Sequence, residues 1–332
     1  MWLRLSRSGR TASLDQGCGN IRKLILSITS GILSGAAIAA SPTLIIQSLW
    51  WTDSGAEVAA ATTQPSSCLS FDQRDADLLK AGLAIFNTPS LLGGQAAKAG
   101  LSCNSCHDNG RNNPHFRVEG LSSESGTADV TSSFFSILRS NKAYDPVEIP
   151  DLANPGKVSR APDDPALERL IRTLIVEEFA GKEPSATTLK ALATYVRAIR
   201  KCDGTTSQER RLKDQLHLID AAIDGALAMH QNDDEEAAKL LVRAARHQLG
   251  LIDERFSASR FGVERQLLLD ASRHLQDVAD TQFGTGFSAS LISWRADFKS
   301  GLAQRLAAKE HQSLYNPKKL EVAIKRNASS AF

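Results

Sequence analysis

Cys103-Asn104-Ser105-Cys106-His107 is the stretch of this chain whose residue types and spacing carry a chemistry of their own. Two thiols two residues apart can each form a thioether with one of the two vinyl groups of a haem, and the imidazole that follows then lies under the iron as an axial ligand. Other chemistries for paired thiols ask for more than the sequence offers. A redox dithiol of the thioredoxin type wants a βαβ pattern around it, and none is legible here. A zinc site needs further Cys or His at close spacing, and His115 is the only local candidate. The spacing therefore reads as one covalently attached haem held by Cys103 and Cys106, with His107 on the iron.

The elements that must position this motif are helical. A helix is expected from near Asp72 to Phe86, with Leu79, Leu83 and Phe86 on one stripe. Gly82 in its interior costs helix stability and so implies a second helix crossing closely there. From Asp108 to Pro165 the sequence is rich in Asn, Gly, Ser and Pro, which predicts a long loop around the haem with a few helical turns near Ser132 to Leu138. Two helices follow. One begins at Pro165 with Leu167, Leu170, Ile171, Leu174 and Ile175 inward, and the other begins at Pro184-Ser185 with Leu189, Leu192, Val196 and Ile199 inward. Tyr195 sits beside that last stripe, where core packing is its ordinary role.

Gly82 to Phe86, Cys103 to His107 and Ala191 to Val196 together resemble a cytochrome c domain. The closer likeness is to the haem domains of the bacterial cytochrome c peroxidase and MauG-like group. It is carried by Ser102 to Gly110, by Phe134 to Leu152 with its Ile149-Pro150-Asp151, and by Thr188 to Arg200. The resemblance implies that the first and last helices cross, with a small residue at the crossing and an aromatic against it. Cys68 before the first helix and Cys202 after the last could then be joined across that crossing. The enzymes of this group carry two haem motifs and this sequence has one, so a lone haem must receive its electrons from a partner.

Methionine is the usual second axial ligand of electron-carrying cytochromes. This chain has two, Met1 and Met229, and none between His107 and Arg200. The distal position is left to Met229 or its neighbour His230, to His115, to Tyr144 or Lys142 from the long loop, or to an open site that admits a small ligand or peroxide. Arg111 and Arg117 stand close after the motif, as propionate partners or as exposed loop charge.

Beyond Asp203-Gly204-Thr205-Thr206 four amphipathic stretches follow with short links. Their stripes are Leu212, Leu216, Ile219, Ile223 and Leu227; Leu241, Ala245, Leu249 and Ile252; Val263, Leu267, Ala271, Leu275 and Val278; and Trp294, Phe298, Leu302 and Leu306. The acidic run Asp233 to Glu236 suits the start of the second. An antiparallel four-helix bundle is the expectation. The expected fold is thus mainly α: residues 1–54 a signal peptide or membrane anchor, 55–67 a linker, 68–203 the cytochrome c-type haem domain, 204–320 the bundle and 321–332 a tail.

Net charge is +2 over 332 residues, which implies no general attraction to nucleic acid or to a membrane surface. Arg4, Arg7, Arg10, Arg22 and Lys23 precede an uncharged run from Leu24 to Thr52, with Ala37-Ile38-Ala39 as a cleavage candidate and Val58 to Ala61 as a second. The run is also long enough to span a bilayer, with Trp50 and Trp51 at the far interface. Either way the remainder is expected in the periplasm or on the outer face of the cytoplasmic membrane. Setting aside Cys18, Cys103 and Cys106 leaves Cys68 and Cys202 as a disulfide pair suited to that compartment. The expected function is single-electron transfer, with the bundle docking a redox partner protein. The alternatives are a peroxidase-like haem enzyme and a haem-based sensor with an open distal site.

Overall fold

The computed structural model describes residues 46–131, 141–162, 164–204, 206–281, 284 and 286–330, the side chains of 281 and 328–330 excepted. The basic N-terminus, Cys18, Ala37-Ile38-Ala39 and the uncharged run as far as residue 45 lie outside these residues, as do the helical turns expected near Ser132 to Leu138. No described helix is long and apolar enough to cross a membrane.

The chain is mainly α, as its periodicity predicts. The helices of the first part are α1 (Glu57–Thr62), α2 (Ala76–Phe86), α3 (Gly94–Lys98), α4 (Cys103–Cys106), α5 (Ala166–Thr173) and α6 (Ala186–Ala198). Those of the second are α7 (Leu212–Gln231), α8 (Glu235–Arg255), α9 (Gly262–Thr281), α10 (Phe287–Ser300), α11 (Leu302–Lys309) and α12 (Pro317–Ser330). Short strands pair antiparallel in twos: β1 (Thr63–Pro65) with β6 (Ser207–Glu209), β2 (Cys68–Leu69) with β5 (Ile199–Arg200), and β3 (Thr127–Ala128) with β4 (Val147–Glu148).

Helix α2 crosses α6 at Gly82. A Cβ built there would stand 2.0 Å from the carbonyl oxygen of Ala191 and 2.8 Å from the Cβ of Tyr195, so only glycine permits this approach. Tyr195 is buried and meets Phe86 edge-on, with ring centroids 5.1 Å apart. Beyond the crossing, β2 pairs with β5, and Cys68 and Cys202 are joined by a disulfide.

The opposite side of α2 packs on α7, where Gly225 brings the two helices together: a Cβ there would lie 2.9 Å from the Cα of Ala81. Lys80 of α2 bonds Asp224 of α7 at 2.8 Å, and Arg295 of α10 holds the same carboxylate. The stretches 68–203 and 204–320 consequently share one continuous core, and residues 42–332 form one compact unit. Within the second stretch α7 packs on α8, α8 on α9, α9 on α10, and α10 back on α7.

Several expectations are corrected. The stretch 55–67 is no linker, because α1 and β1 order it and β1 pairs with β6. Trp51 is buried in the main core, which places it against protein, while Trp50 is exposed. Leu170 of α5 faces solvent. The first turns of α9 are out of the expected register: Glu264 and Leu268 face inward while Val263 and Leu267 are exposed. The reason is that Glu264 is a buried carboxylate, paired with Arg305 and Lys309 of α11 at 2.5 and 2.7 Å, which hydrophobic periodicity cannot register. The fourth stripe is split at Gly301 into α10 and α11. The tail is a helix: the Asn316 side chain accepts from the backbone N–H of Lys318 at 3.0 Å, Pro317 fits the first position, and Leu320 is fully buried with Ile46, Ala61 and Leu314.

Candidate haem-attachment site

Helix α4 is a single turn whose shape is imposed by its neighbours. Ser105 Oγ accepts from the Ser102 N–H at 3.1 Å at its start. At its end Asn109 takes a left-handed conformation (φ 52°), its N–H donating to Asn104 Oδ1 at 2.8 Å and its side-chain amide to the Pro65 carbonyl at 2.8 Å. Asn113 reaches back to the Ser105 carbonyl at 2.8 Å and, through its backbone N–H, to the Cys106 carbonyl at 3.1 Å. Gly110 follows with φ 75°, and a Cβ there would lie 2.6 Å from Ile199 Cδ1, so β5 lies directly against the turn.

Cys103 and Cys106 are both free thiols. Three apart on one helical turn, they lie on the same face. Burial pushes each thiol up to about 12, that of Cys106 further beside Cys103. A reactive dithiol is marked by the opposite shift, because the thiolate is its nucleophile. These two are held as neutral thiols.

His107 is oriented by a carbonyl. Its Nδ1 lies 3.0 Å from Pro150 O. A carbonyl only accepts, so Nδ1 carries the proton and the lone pair of the neutral ring is on Nε2. Burial pushes the imidazole down to about 4, against smaller opposing effects of the Pro150 carbonyl and the Asp151 charge. A neutral imidazole with one nitrogen anchored to a carbonyl and the other free is the form in which histidine ligates a metal.

Pro150 is itself fixed from two sides. The β3–β4 pair ends on it, with the Ile149 N–H donating to the Gly126 carbonyl at 2.9 Å. Asp151 receives a two-pronged contact from Arg111, Nε and Nη2 each at 2.7 Å from one carboxylate oxygen, and Arg111 Nη1 also donates to the Ser66 carbonyl at 2.8 Å. Arg111, expected beside a propionate or in solvent, instead holds the carbonyl that holds His107. Arg117 lies half-exposed, 3.5 Å from Asp53. A second tie runs from Asp108, next to His107, to Arg210 just before α7, at 2.8 Å.

The donor set fits a covalent haem. It provides two unpaired thiols on one face and a neutral imidazole with Nε2 available. Among the described residues no group of three or more His, Cys, Asp or Glu could hold a bare metal ion.

The distal candidates are placed separately. Met229 is buried in the main core in the last turn of α7, a helix about 30 Å long whose other end adjoins Arg210 and Asp108. The His230 ring packs against Phe287 at 4.8 Å. His115 stands in the loop, its N–H bonded to Asn113 Oδ1 at 3.0 Å and its carbonyl accepting from Asp53. Tyr144 is exposed, and Lys142 has positive φ in the loop before β4. Sequence patterns alone do not point to the Pro150 carbonyl, the Arg111–Asp151 fork or the Asp108–Arg210 pair. The one signal they leave is an Arg four residues after His107 together with an acid following a proline.

Comparison of this chain with family models, curated proteins and solved structures finds no match.

Proposed function

We propose that this chain is a mono-haem c-type cytochrome of the cell envelope that carries single electrons. One haem c is bound covalently through Cys103 and Cys106, with His107 as the proximal ligand. In this reading residues 68–203 are a cytochrome c-type haem domain, and α7 to α11 are an antiparallel bundle that presents it to a redox partner protein. The observation that carries the reading is the 3.0 Å contact from His107 Nδ1 to Pro150 O, which leaves Nε2 free directly after a pair of unpaired thiols. The glycine crossing of α2 and α6 with Phe86 against Tyr195, and the Cys68–Cys202 bond across it, agree with the resemblance to a cytochrome c domain. The disulfide also suits the periplasm or the outer face of the cytoplasmic membrane, where disulfides persist.

When bound, the haem supplies one-electron chemistry. The chain's own residues do the rest: the two thiols tether, the Pro150 carbonyl fixes the ring and proton of His107, and the Arg111–Asp151 fork keeps that carbonyl in place.

The test is expression of the full chain with a working haem-maturation system. The expected result is a red protein whose Cys103–Cys106 peptide carries the mass of one haem, with reversible reduction by a one-electron donor. Cys103→Ala together with Cys106→Ala abolishes the covalent mass. A colourless protein of unmodified mass overturns the reading.

A further inference from the structure

Against α4 lies a chamber of about 120 Å³ that the electron-transfer reading does not use. Its walls mix polar side chains with apolar ones such as Trp51, Leu218 and Leu251. Asn104, Ser105 and Asp108 line it from the haem-binding turn, and His247, Gln248 and Glu254 line it from α8. His247 and Glu254, seven apart, share one face of that helix, and Gln248 enters the chamber from the flank of that face. Gln248 is 2% exposed, and its side-chain oxygen has no partner in the protein. A buried acceptor of this kind beside a partly polar space is a site for ordered water, and the volume is sufficient for several molecules.

Of the two carboxylates among the described residues lining the chamber, Glu254 is the one without an ion-pair partner. Asp108 is paired with Arg210 at 2.8 Å. Arg255, also in the lining, spends its guanidinium on the Ala61 and Leu314 carbonyls at 2.7 and 3.3 Å. Asp253, beside Glu254 on α8, turns to Arg265 at 2.8 Å. His247 is pushed down to about 4 by burial and stays neutral. Among the described residues the Glu254 carboxylate accepts from the Gln47 N–H, at 3.0 Å, and has no ion-pair partner.

We propose that Glu254 is a proton-binding site linked to the charge of the iron that His107 would hold, taking up a proton through the chamber's water on reduction and releasing it on oxidation. The proposal rests on the electron-transfer reading above. Charge balances: one electron arrives from the redox partner, one proton arrives from solvent, and the Glu254 carboxylate becomes a carboxylic acid. Burial sets the working range, because it pushes Glu254 up to about 7 against the opposing pull of the Gln47 N–H and Arg255. The sign follows. An added electron favours the protonated acid, so the reduced protein binds this proton more tightly, and by reciprocity the midpoint potential falls as pH rises through that range.

The test is potentiometry of the haem-loaded full chain from pH 5.5 to 8.5, with infrared difference spectra of the reduced minus oxidised protein. If the reduced form holds the proton tenfold more tightly, the midpoint drops by about 59 mV across the range. A carboxylic-acid band appears on reduction in the same window. Glu254→Gln keeps an acceptor for the Gln47 N–H and removes both signals, whereas His247→Gln retains the infrared band. A potential flat with pH, or a slope and band unchanged in Glu254→Gln, overturns the proposal while leaving the haem reading intact. A protein that takes up no haem overturns the haem reading instead, which separates the two failures.

Discussion

Two contacts outside the cysteine motif decide what His107 offers: the Pro150 carbonyl at 3.0 Å and, behind it, the Arg111–Asp151 fork. The fork is mostly shielded from water, with side-chain exposures of 15% and 11%, so it is not an ordinary surface pair. Burial alone raises Asp151, but the Arg111 contacts outweigh it and hold the carboxyl below its usual range. Hydrogen bonds to charged groups in such settings contribute about 1.5–3 kcal/mol, and an orphaned partner adds its own desolvation cost. Arg111→Leu is therefore expected to lower the stability of the haem-loaded protein by about 2 kcal/mol. It is also expected to alter the absorption bands of the iron, because the loop that orients His107 is released. Arg111→Lys should recover only part of this, since an ammonium cannot fork. Denaturant titration and the visible spectrum check both, and a leucine variant that matches the parent in each would remove the fork from the account of the site.

At the scale of elements, close helix contact is set by glycines, and their cost differs with what lies opposite. Opposite Gly82 is backbone, the Ala191 carbonyl, 2.0 Å from where a Cβ would stand. No rotamer change relieves that overlap, so α2 and α6 must separate. At Gly225 a Cβ would meet the Ala81 Cα at 2.9 Å, its Cβ at 3.0 Å and Leu241 Cδ2 at 3.2 Å, a milder overlap that still requires α7 to move off α2. Alanine gains about 1 kcal/mol of helix propensity at either place. Overpacking costs typically about 1–3 kcal/mol and more where backbone must move. The expectation is that Gly82→Ala destabilises by about 2 kcal/mol or more, while Gly225→Ala destabilises by less. Thermal melts that ranked the two in the opposite order would contradict this reading of the crossing. The Gly82 crossing was legible because an isolated glycine inside an apolar stripe gives up helix stability and so marks a close approach. Helices α2, α6, α7 and α8 were legible from clean stripes of three and four. The register of α9 was not, because its inward row begins with Glu264, whose burial depends on Arg305 and Lys309 some forty residues on. Nor was α12, whose Lys- and Arg-rich surface hides the short apolar row of Leu320, Ala323 and Ile324. The thiols and imidazole of the site are adjacent in sequence and so were plain. Pro150, Arg111 and Arg210 act through backbone or through distant partners, which no local pattern encodes.

At the scale of the molecule, the chain that reads as two consecutive units is tied into one. Helix α2 is packed by α6 on one side and by α7 and α8 on the other. The Asp224 carboxylate of α7 bonds Lys80 of α2 and Arg295 of α10, and Arg210 before α7 bonds Asp108 beside His107. β1 and β6 join the segment before the haem motif to the segment before α7. With no layer of solvent between the parts, neither has an exposed face that would survive loss of the other. Unfolding of residues 42–332 is therefore expected as one transition rather than two. The Cys68–Cys202 bond gives this a test, because it closes a loop of 134 residues lying wholly in the first part. Loops of that order are constrained in the unfolded chain by about 4–5 kcal/mol in the entropic account, with measured losses of about 2–5 kcal/mol. If the parts are coupled, replacing both cysteines by serine shifts the whole calorimetric peak downward, and fluorescence of Trp294 in α10 reports the same lowered midpoint as the haem band. If they were independent, the haem band would move alone and the Trp294 transition would stay where it was.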